Sequence, residues 1–294
     1  MSTLECPYKL NMSAVALYRR SLGNFLDTIA IVRRRFAMRP ARYPEIPWFV
    51  GVFAWLLLAV AVGLSLDSTA GRMRGEWTPG FVHFADFFTD FGLGGWYLIP
   101  AALCLVAANL TDWRRLPRET RLLVYNWTCF AFLVLCAVGL SGLAVNLLKY
   151  GIGRARPLYF NDLGVLSLHP FAMDARFAGF PSGHATTMGA VFGILLLLFP
   201  KRWHIALAVM ACTASTRVFV GAHYPSDTVA GFGLGLASAI VSGLVFARLG
   251  FIFRRPSSTR PVPKRTFRLL PSSRSKDTAS QARRRREQLS ADRP

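Results

Sequence analysis

Charge is scarce in this sequence. Only 17% of the 294 residues are charged, against about a quarter in an ordinary soluble domain. Acidic side chains are scarcer still, 15 against 35 Lys and Arg. The carboxylates do not cluster, and no His–Cys set stands near them, so nothing here spells out a metal site. The five cysteines, Cys6, Cys104, Cys129, Cys136 and Cys212, form no C-x-x-C pair, and four lie inside apolar runs. That pattern fits small buried hydrophobes and argues against a disulfide or zinc framework. There is no nucleic-acid-binding motif beside the net charge of +20, and no nucleic-acid partner is expected. No cleavable leader is expected either, because the first long apolar run starts only at Ile46, after many charges, and is too long for a leader's apolar segment.

Apolar residues are abundant instead. They make up 53% of the chain, with a mean hydropathy of +0.35. Six runs approach or exceed the roughly 20 residues that span a bilayer: 46–66, 91–110, 122–148, 181–200, 203–222 and 228–247. The expected fold is all-α, a polytopic membrane protein with six transmembrane helices in one bundle and both termini cytoplasmic. Residues 1–45 are polar and basic, and Tyr18, Leu22, Phe25 and Ile29 recur there at helical spacing. They read either as an amphipathic helix on the membrane surface or as an ordinary exposed helix. Residues 46–250 make the membrane domain. From residue 251 the chain is rich in Pro, Ser and Arg and is expected to be disordered. From Arg254 onward it carries thirteen Lys/Arg against three Asp/Glu, a net +10.

The basic residues set the orientation. Both tails, the loop holding Arg114, Arg115, Arg118 and Arg121, and the pair Lys201-Arg202 fall on one side of a six-span chain. That side is cytoplasmic by the positive-inside rule, and its basic tails meet anionic headgroups. The connections 67–90, 149–180 and 223–227 then face outward, toward the periplasm or exterior of an inner or plasma membrane.

All the chemistry-bearing residues lie at those outward ends. Lys149 closes a span, and Arg156-Pro157 follows within eight positions. Arginine's planar fork suits bidentate phosphate binding, and lysine adds a point charge. Arg154 sits beside them as a possible secondary phosphate contact. Pro181-Ser182-Gly183-His184 precedes the next span. A helix N-terminus there offers free N–H groups that attract phosphate, Ser182 suits the cap, and His184 can donate a proton. Arg217 lies inside an apolar run, where a guanidinium needs an anionic partner. His223 and Asp227 are four apart, so Asp227 can reach one imidazole nitrogen and leave the other free as a nucleophile. His169 and Asp174, in the long outward loop, are weaker candidates for touching a substrate headgroup.

In order, K-x6-RP, PSGH and R-x5-H-x3-D resemble the three-part signature of the type 2 phosphatidic acid phosphatase superfamily. The motifs cover Lys149 to Asp227, and the six-span layout extends the likeness over residues 46–250. The resemblance implies a metal-independent membrane phosphatase without cofactor, acting on a lipid phosphate. In it His223 attacks phosphorus to give a phosphohistidine, Asp227 orients it, and His184 protonates the departing alcohol. Lys149, Arg156, Ser182, Gly183 and Arg217 hold the phosphate oxygens. One position departs from the pattern: Thr216 stands before the arginine where the family usually has Ser. Phosphatidic acid, phosphatidylglycerophosphate, isoprenyl pyrophosphate and lipid A phosphates all fit as substrates. Three rival readings share parts of the pattern. A lipid phosphotransferase would use the same phosphohistidine. A vanadate-dependent haloperoxidase would share the oxyanion pocket, but six spans speak against it. A non-enzymatic lipid-binding protein would not need both histidines and Asp227.

Overall fold

The computed structural model describes residues 8–39, 48–254 and 261–270. Among them there are helices and turns but no strand. Helix α1 is Tyr8–Met38. Four helices are long and apolar enough to cross a membrane: α2 Phe49–Arg72, α3 Pro79–Leu110, α4 Arg118–Ile152 and, later in the chain, α7 Pro225–Leu249. Between α4 and α7 lie α5 Gly183–Leu198, of 16 residues, and α6 Trp203–Phe219, of 17. A helix occupies each of the six apolar runs. At 1.5 Å per residue, however, α5 and α6 reach only about 25 Å, so by length alone they fall short of a span of about 30 Å.

Helix α5 is short because it is the centre of the bundle. Thr186, Met188, Ala190, Phe192, Ile194 and Leu197 are all buried, and a helix that is apolar all round belongs inside. One side packs with Leu133, Ala137 and Val138 of α4 and Ala239 and Phe246 of α7. The other meets Ala214 of α6 and Phe232 of α7. Helices α5 and α7 approach so closely that a methyl group on Gly235 would collide with the Thr186 carbonyl, and one on Gly189 with the Phe232 carbonyl. Small residues permit such backbone contact between membrane helices. The outer helices carry the lipid-facing belt, with Phe49, Leu64, Leu103 and Leu147 widely exposed.

Two helices widen for one turn, α2 at Gly63–Asp67 and α4 at Leu135–Gly139, while α3 tightens at Asp90–Gly92 and breaks at the extended Leu93. Such wide turns are frequent at functional sites, and the first ends on Asp67, which is 1% exposed.

Helix α1 turns a polar stripe toward the bundle. Asn24 donates to the carbonyls of Asn109 and Thr111, Arg35 to those of Leu249 and Gly250, and Arg39 to Arg248. Its apolar residues Tyr18, Leu22, Phe25 and Ile29 point away from the protein and are exposed, while Phe36 lies under the Arg248 guanidinium. At the same end, part of the segment expected to be disordered is packed. Asn126 donates to the carbonyls of Thr266 and Arg268, Trp127 to that of Leu269, and Lys264 to that of Gly250. Polar side chains of α4 hold a stretch that its own composition could not fold. The rest of that tail, and residues 1–7, lie outside the described residues.

The glycine contact sets a first prediction. Gly235→Ala pushes α5 from α7 and lowers stability by about 1–3 kcal/mol, read as a lower thermal unfolding midpoint in detergent. Gly51→Ala, with open space around it, leaves that midpoint unchanged or raises it.

Candidate active site

Five chain segments meet at the end of the bundle opposite α1: the C-terminal ends of α2, α4 and α6 and the N-terminal ends of α5 and α7. Lys149 lies in the last turn of α4. That helix stops at Gly153, whose left-handed backbone (φ 64°) lets its N–H return to the Lys149 carbonyl. The chain then runs extended through Arg154, Ala155 and Arg156. Backbone bonds pin it there, from Ala155 N–H to Ser167, Arg156 N–H to Arg176 and Gly179 N–H to Arg154.

Ser182 caps α5 through its hydroxyl, which accepts from the Ala185 N–H. It is fully buried, and its own N–H donates to the Asp227 carbonyl at 3.0 Å. Helices α5 and α7 are thus tied at their first residues. Gly183 follows, and a methyl group there would come within 3.7 Å of the Lys149 Nζ. Next comes His184, against Gly92 of α3; a methyl on Gly92 would meet the His184 Cβ at 2.8 Å and Cδ2 at 3.0 Å. His184 is half-buried there, close to Lys149, Arg156, Arg217 and His223.

His223 is 3% exposed. Its Nδ1 lies 2.6 Å from the Gly179 carbonyl oxygen. A carbonyl only accepts, so Nδ1 carries the proton and Nε2 keeps its lone pair. Asp227 stands farther away, with Oδ2 3.7 Å from Nδ1. Its nearer bonds go elsewhere: Oδ2 accepts from the Tyr224 N–H at 2.8 Å, closing the first turn of α7. The sequence expectation had Asp227 fix the imidazole tautomer. Here the Gly179 carbonyl makes the short contact, and Asp227 contributes charge from the next shell outward.

Arg154 also differs from its expected role. Its guanidinium bridges two buried carboxylates, with Nη1 2.6 Å from Asp227 Oδ1 and Nη2 2.8 Å from Asp67 Oδ2. It donates further to Ser226 and to the Val165 carbonyl and lies over the Tyr224 ring. Ser226 completes the group by donating from both N–H and hydroxyl to Asp67. These bonds commit Arg154 to the two carboxylates. Asp67 escaped the sequence reading, where it was only the first residue of a loop. The clue available was a lone carboxylate ending a 21-residue uncharged run.

The three remaining cations are different. Among the described residues, Lys149, Arg156 and Arg217 form no ion pair. The Nε atoms of Arg156 and Arg217 are buried without a hydrogen-bond partner, and Arg217 otherwise reaches only the Thr89 hydroxyl, at 3.3 Å. The two arginines of the loop make the contrast plain. Burial pulls both down, yet Asp227 and Asp67 more than offset this for Arg154, which ends above its usual value. Arg156 stays below, because burial outweighs the attraction of Asp227 and Tyr159. One guanidinium has its counter-charge, and the other lacks one. Thr216 donates its hydroxyl to the Thr213 carbonyl of its own helix at 2.7 Å. His169 packs on Phe177 and Asp174 pairs with Arg176, both within the outer loop.

The two arginines therefore respond differently to substitution. Arg154→Gln strands Asp67 and Asp227 and lowers stability by about 3–5 kcal/mol, seen in thermal unfolding. Arg156→Gln leaves the unfolding midpoint within a few degrees and lowers kcat/KM for a phosphate ester by about 10²- to 10³-fold.

The family model described as the PAP2 superfamily matches residues 130–250, which hold all three motifs. The lipid A 1-phosphatase of Rhizobium johnstonii is 35% identical over 243 residues, covering 81% of this chain and 97% of that protein. The lipid A 1-phosphatase of Rhizobium etli is 34% identical over 227 residues, covering 76% and 96%. A crystal structure of a transmembrane PAP2 type phosphatidylglycerolphosphate phosphatase from Bacillus subtilis covers 76% of this chain and 94% of its own, with a TM-score of 0.40 and 19% identity. With the motifs in place and relatives above 30% identity matched over almost their whole length, this chain belongs to the PAP2 superfamily and is a membrane phosphatase of that type.

Proposed function

We propose that the protein removes a phosphate group from a membrane lipid through a phosphohistidine on His223. One observation carries this: three unpaired cations, Lys149, Arg156 and Arg217, cluster beside His184, next to a second histidine, His223, whose Nδ1 is committed to the Gly179 carbonyl. A phosphate supplies the negative charge they lack. The His223 Nε2 attacks phosphorus, a P–N bond forms, and the bond from phosphorus to the lipid oxygen breaks. His184 gives its proton to that oxygen, so the lipid leaves as an alcohol. Water then gives a proton to His184 and attacks phosphorus, breaking the P–N bond and releasing inorganic phosphate. Lys149, Arg156, Arg217, the Ser182 hydroxyl and the Gly183 N–H at the start of α5 stabilise charge on the phosphoryl oxygens in both steps. Asp227 steadies the imidazolium character that develops on His223.

The substrate class we favour is the 1-phosphate of a lipid A-like glycolipid, because two lipid A 1-phosphatases are matched over almost their own whole length. The placement we favour has six spans, with α5 and α6 crossing inside the bundle, and the site on the periplasmic or exterior face of an inner or plasma membrane. The cations Arg35, Arg39, Arg248 and Lys264 gather at the opposite end, as the positive-inside rule requires of a cytoplasmic face. There the apolar stripe of α1 faces hydrocarbon, and Arg19, Arg20, Arg33 and Arg34 meet anionic headgroups.

Purified protein given lipid A releases inorganic phosphate, and does so in EDTA. Rapid quench with labelled lipid traps acid-labile label on the protein. His223→Ala abolishes both, with a rate loss of about 10⁴-fold or more; full activity in that variant sinks the reading. A pH profile tests the nucleophile separately. Burial, opposed by Asp227, holds the His223 imidazole below its usual value of about 6.5. Only the neutral ring attacks, so the acid limb of kcat/KM falls below pH 6.5, and activity is lost as pH drops through the lowered value. Asp227→Asn removes the opposing charge and moves the limb further down.

A further inference from the structure

The outer loop between Arg156 and Gly179 carries apolar side chains along much of its length. Leu166 is 84% exposed, and Phe171 and Met173 are each 76% exposed. Phe171 and Met173 also hold positive φ angles, 62° and 51°. That region is unfavourable for bulky side chains, and such residues persist only where their surroundings impose the conformation. The surroundings here are the end of α4. The Phe171 N–H donates to the Tyr150 carbonyl, and the His169 N–H to the Gly153 carbonyl, both at 2.7 Å. Phe171 is therefore held level with Tyr150, one residue from Lys149. The same loop bonds through Ser167 and Arg176 to Ala155 and Arg156, so its position is registered to the phosphate ligands.

The surface beneath it is continuous. Leu140, Leu143, Leu147 and Tyr150, spaced three, four and three residues apart, form one exposed face of α4. That face runs from the loop down to a cleft of about 280 Å³ between α4 and α7, which Leu140 shares with Ser141, Ala144, Leu234 and Ser238. Apolar surface at the depth of the phosphate site, aligned with a lipid-facing helix, suits hydrocarbon.

We propose that Phe171 and Met173, with the Leu143–Leu147–Tyr150 face below them, hold the acyl chains of the phosphorylated lipid while its phosphate lies among Lys149, Arg156 and Arg217. The loop makes the site selective for a lipid over a soluble phosphate ester. This rests on the phosphatase reading above and adds the element that recognises the lipid part.

The test compares two substrates that share their phosphates: lipid A, and the chain-free glucosamine disaccharide bisphosphate made by removing its acyl groups. For F171S/M173S, kcat/KM on lipid A falls by about tenfold or more, while kcat/KM on the disaccharide stays within about twofold of wild type. An equal loss on both, or no loss on either, overturns the proposal. Wild-type protein inert on both substrates overturns the phosphatase reading on lipid A instead, and a crosslink then decides about the loop. With p-benzoylphenylalanine in place of Phe171, irradiation in nanodiscs containing lipid A gives an adduct on its acyl chain. An adduct only with bulk phospholipid, or with a second copy of the chain, overturns the proposal.

Discussion

The buried bridge from Asp67 through Arg154 to Asp227 is the interaction on which the site depends. It joins three segments far apart in the chain: the end of α2, the extended run after α4, and the first turn of α7. Burying such a group is expensive unless geometry is good and the remaining donors are used. Both conditions hold, with Ser226 and the Val165 carbonyl taking further donors of Arg154. Two carboxylates and one guanidinium leave the group with a net negative charge beside His223. The region around His223 is thus negative on one flank, at Asp227, and positive on the other, at Lys149 and Arg156.

That division separates binding from activation. The cations that lack partners are free to meet phosphate, and they are held in place before it arrives. Preorganised charge of this kind costs no rearrangement when the reaction occurs. The proton on His223 is governed from elsewhere, by the Gly179 carbonyl, and Gly179 is itself hydrogen-bonded to the Arg154 carbonyl. His223, its counter-charge and the unpaired Arg156 therefore share a single backbone framework.

Much of this was legible in the sequence, and for physical reasons. Ionisable residues beside apolar runs stand out because membranes tolerate few of them, so Lys149, Arg156, His184, Arg217, His223 and Asp227 were visible at once. What residue type does not reveal is how neighbouring residues divide the work. Arg154 and Arg156 are identical in chemistry and two apart, yet one completes an ion triad and the other awaits an anion. Backbone acceptors such as the Gly179 carbonyl leave no trace in composition. Asp67 could not be placed because its partners are 87 and 159 residues away. Run length located six helices, but α5 is short for a span because protein rather than lipid surrounds it. The disorder expected past residue 250 overlooked what Asn126 and Trp127 of α4 do for residues 261–270.

The glycine contact between α5 and α7 has a mechanical consequence. With no side-chain layer between the two backbones, their separation is close to the minimum that two helices allow, and it cannot be compressed. Bilayers differ in thickness and lateral pressure, and the exposed helices α2 and α3 must adjust to them by tilting. The α5–α7 pair moves as one stiff strut, carrying Ser182 and Asp227 at fixed spacing. The spacing between Ser182 and Asp227 is thereby uncoupled from the elasticity of the membrane around the bundle.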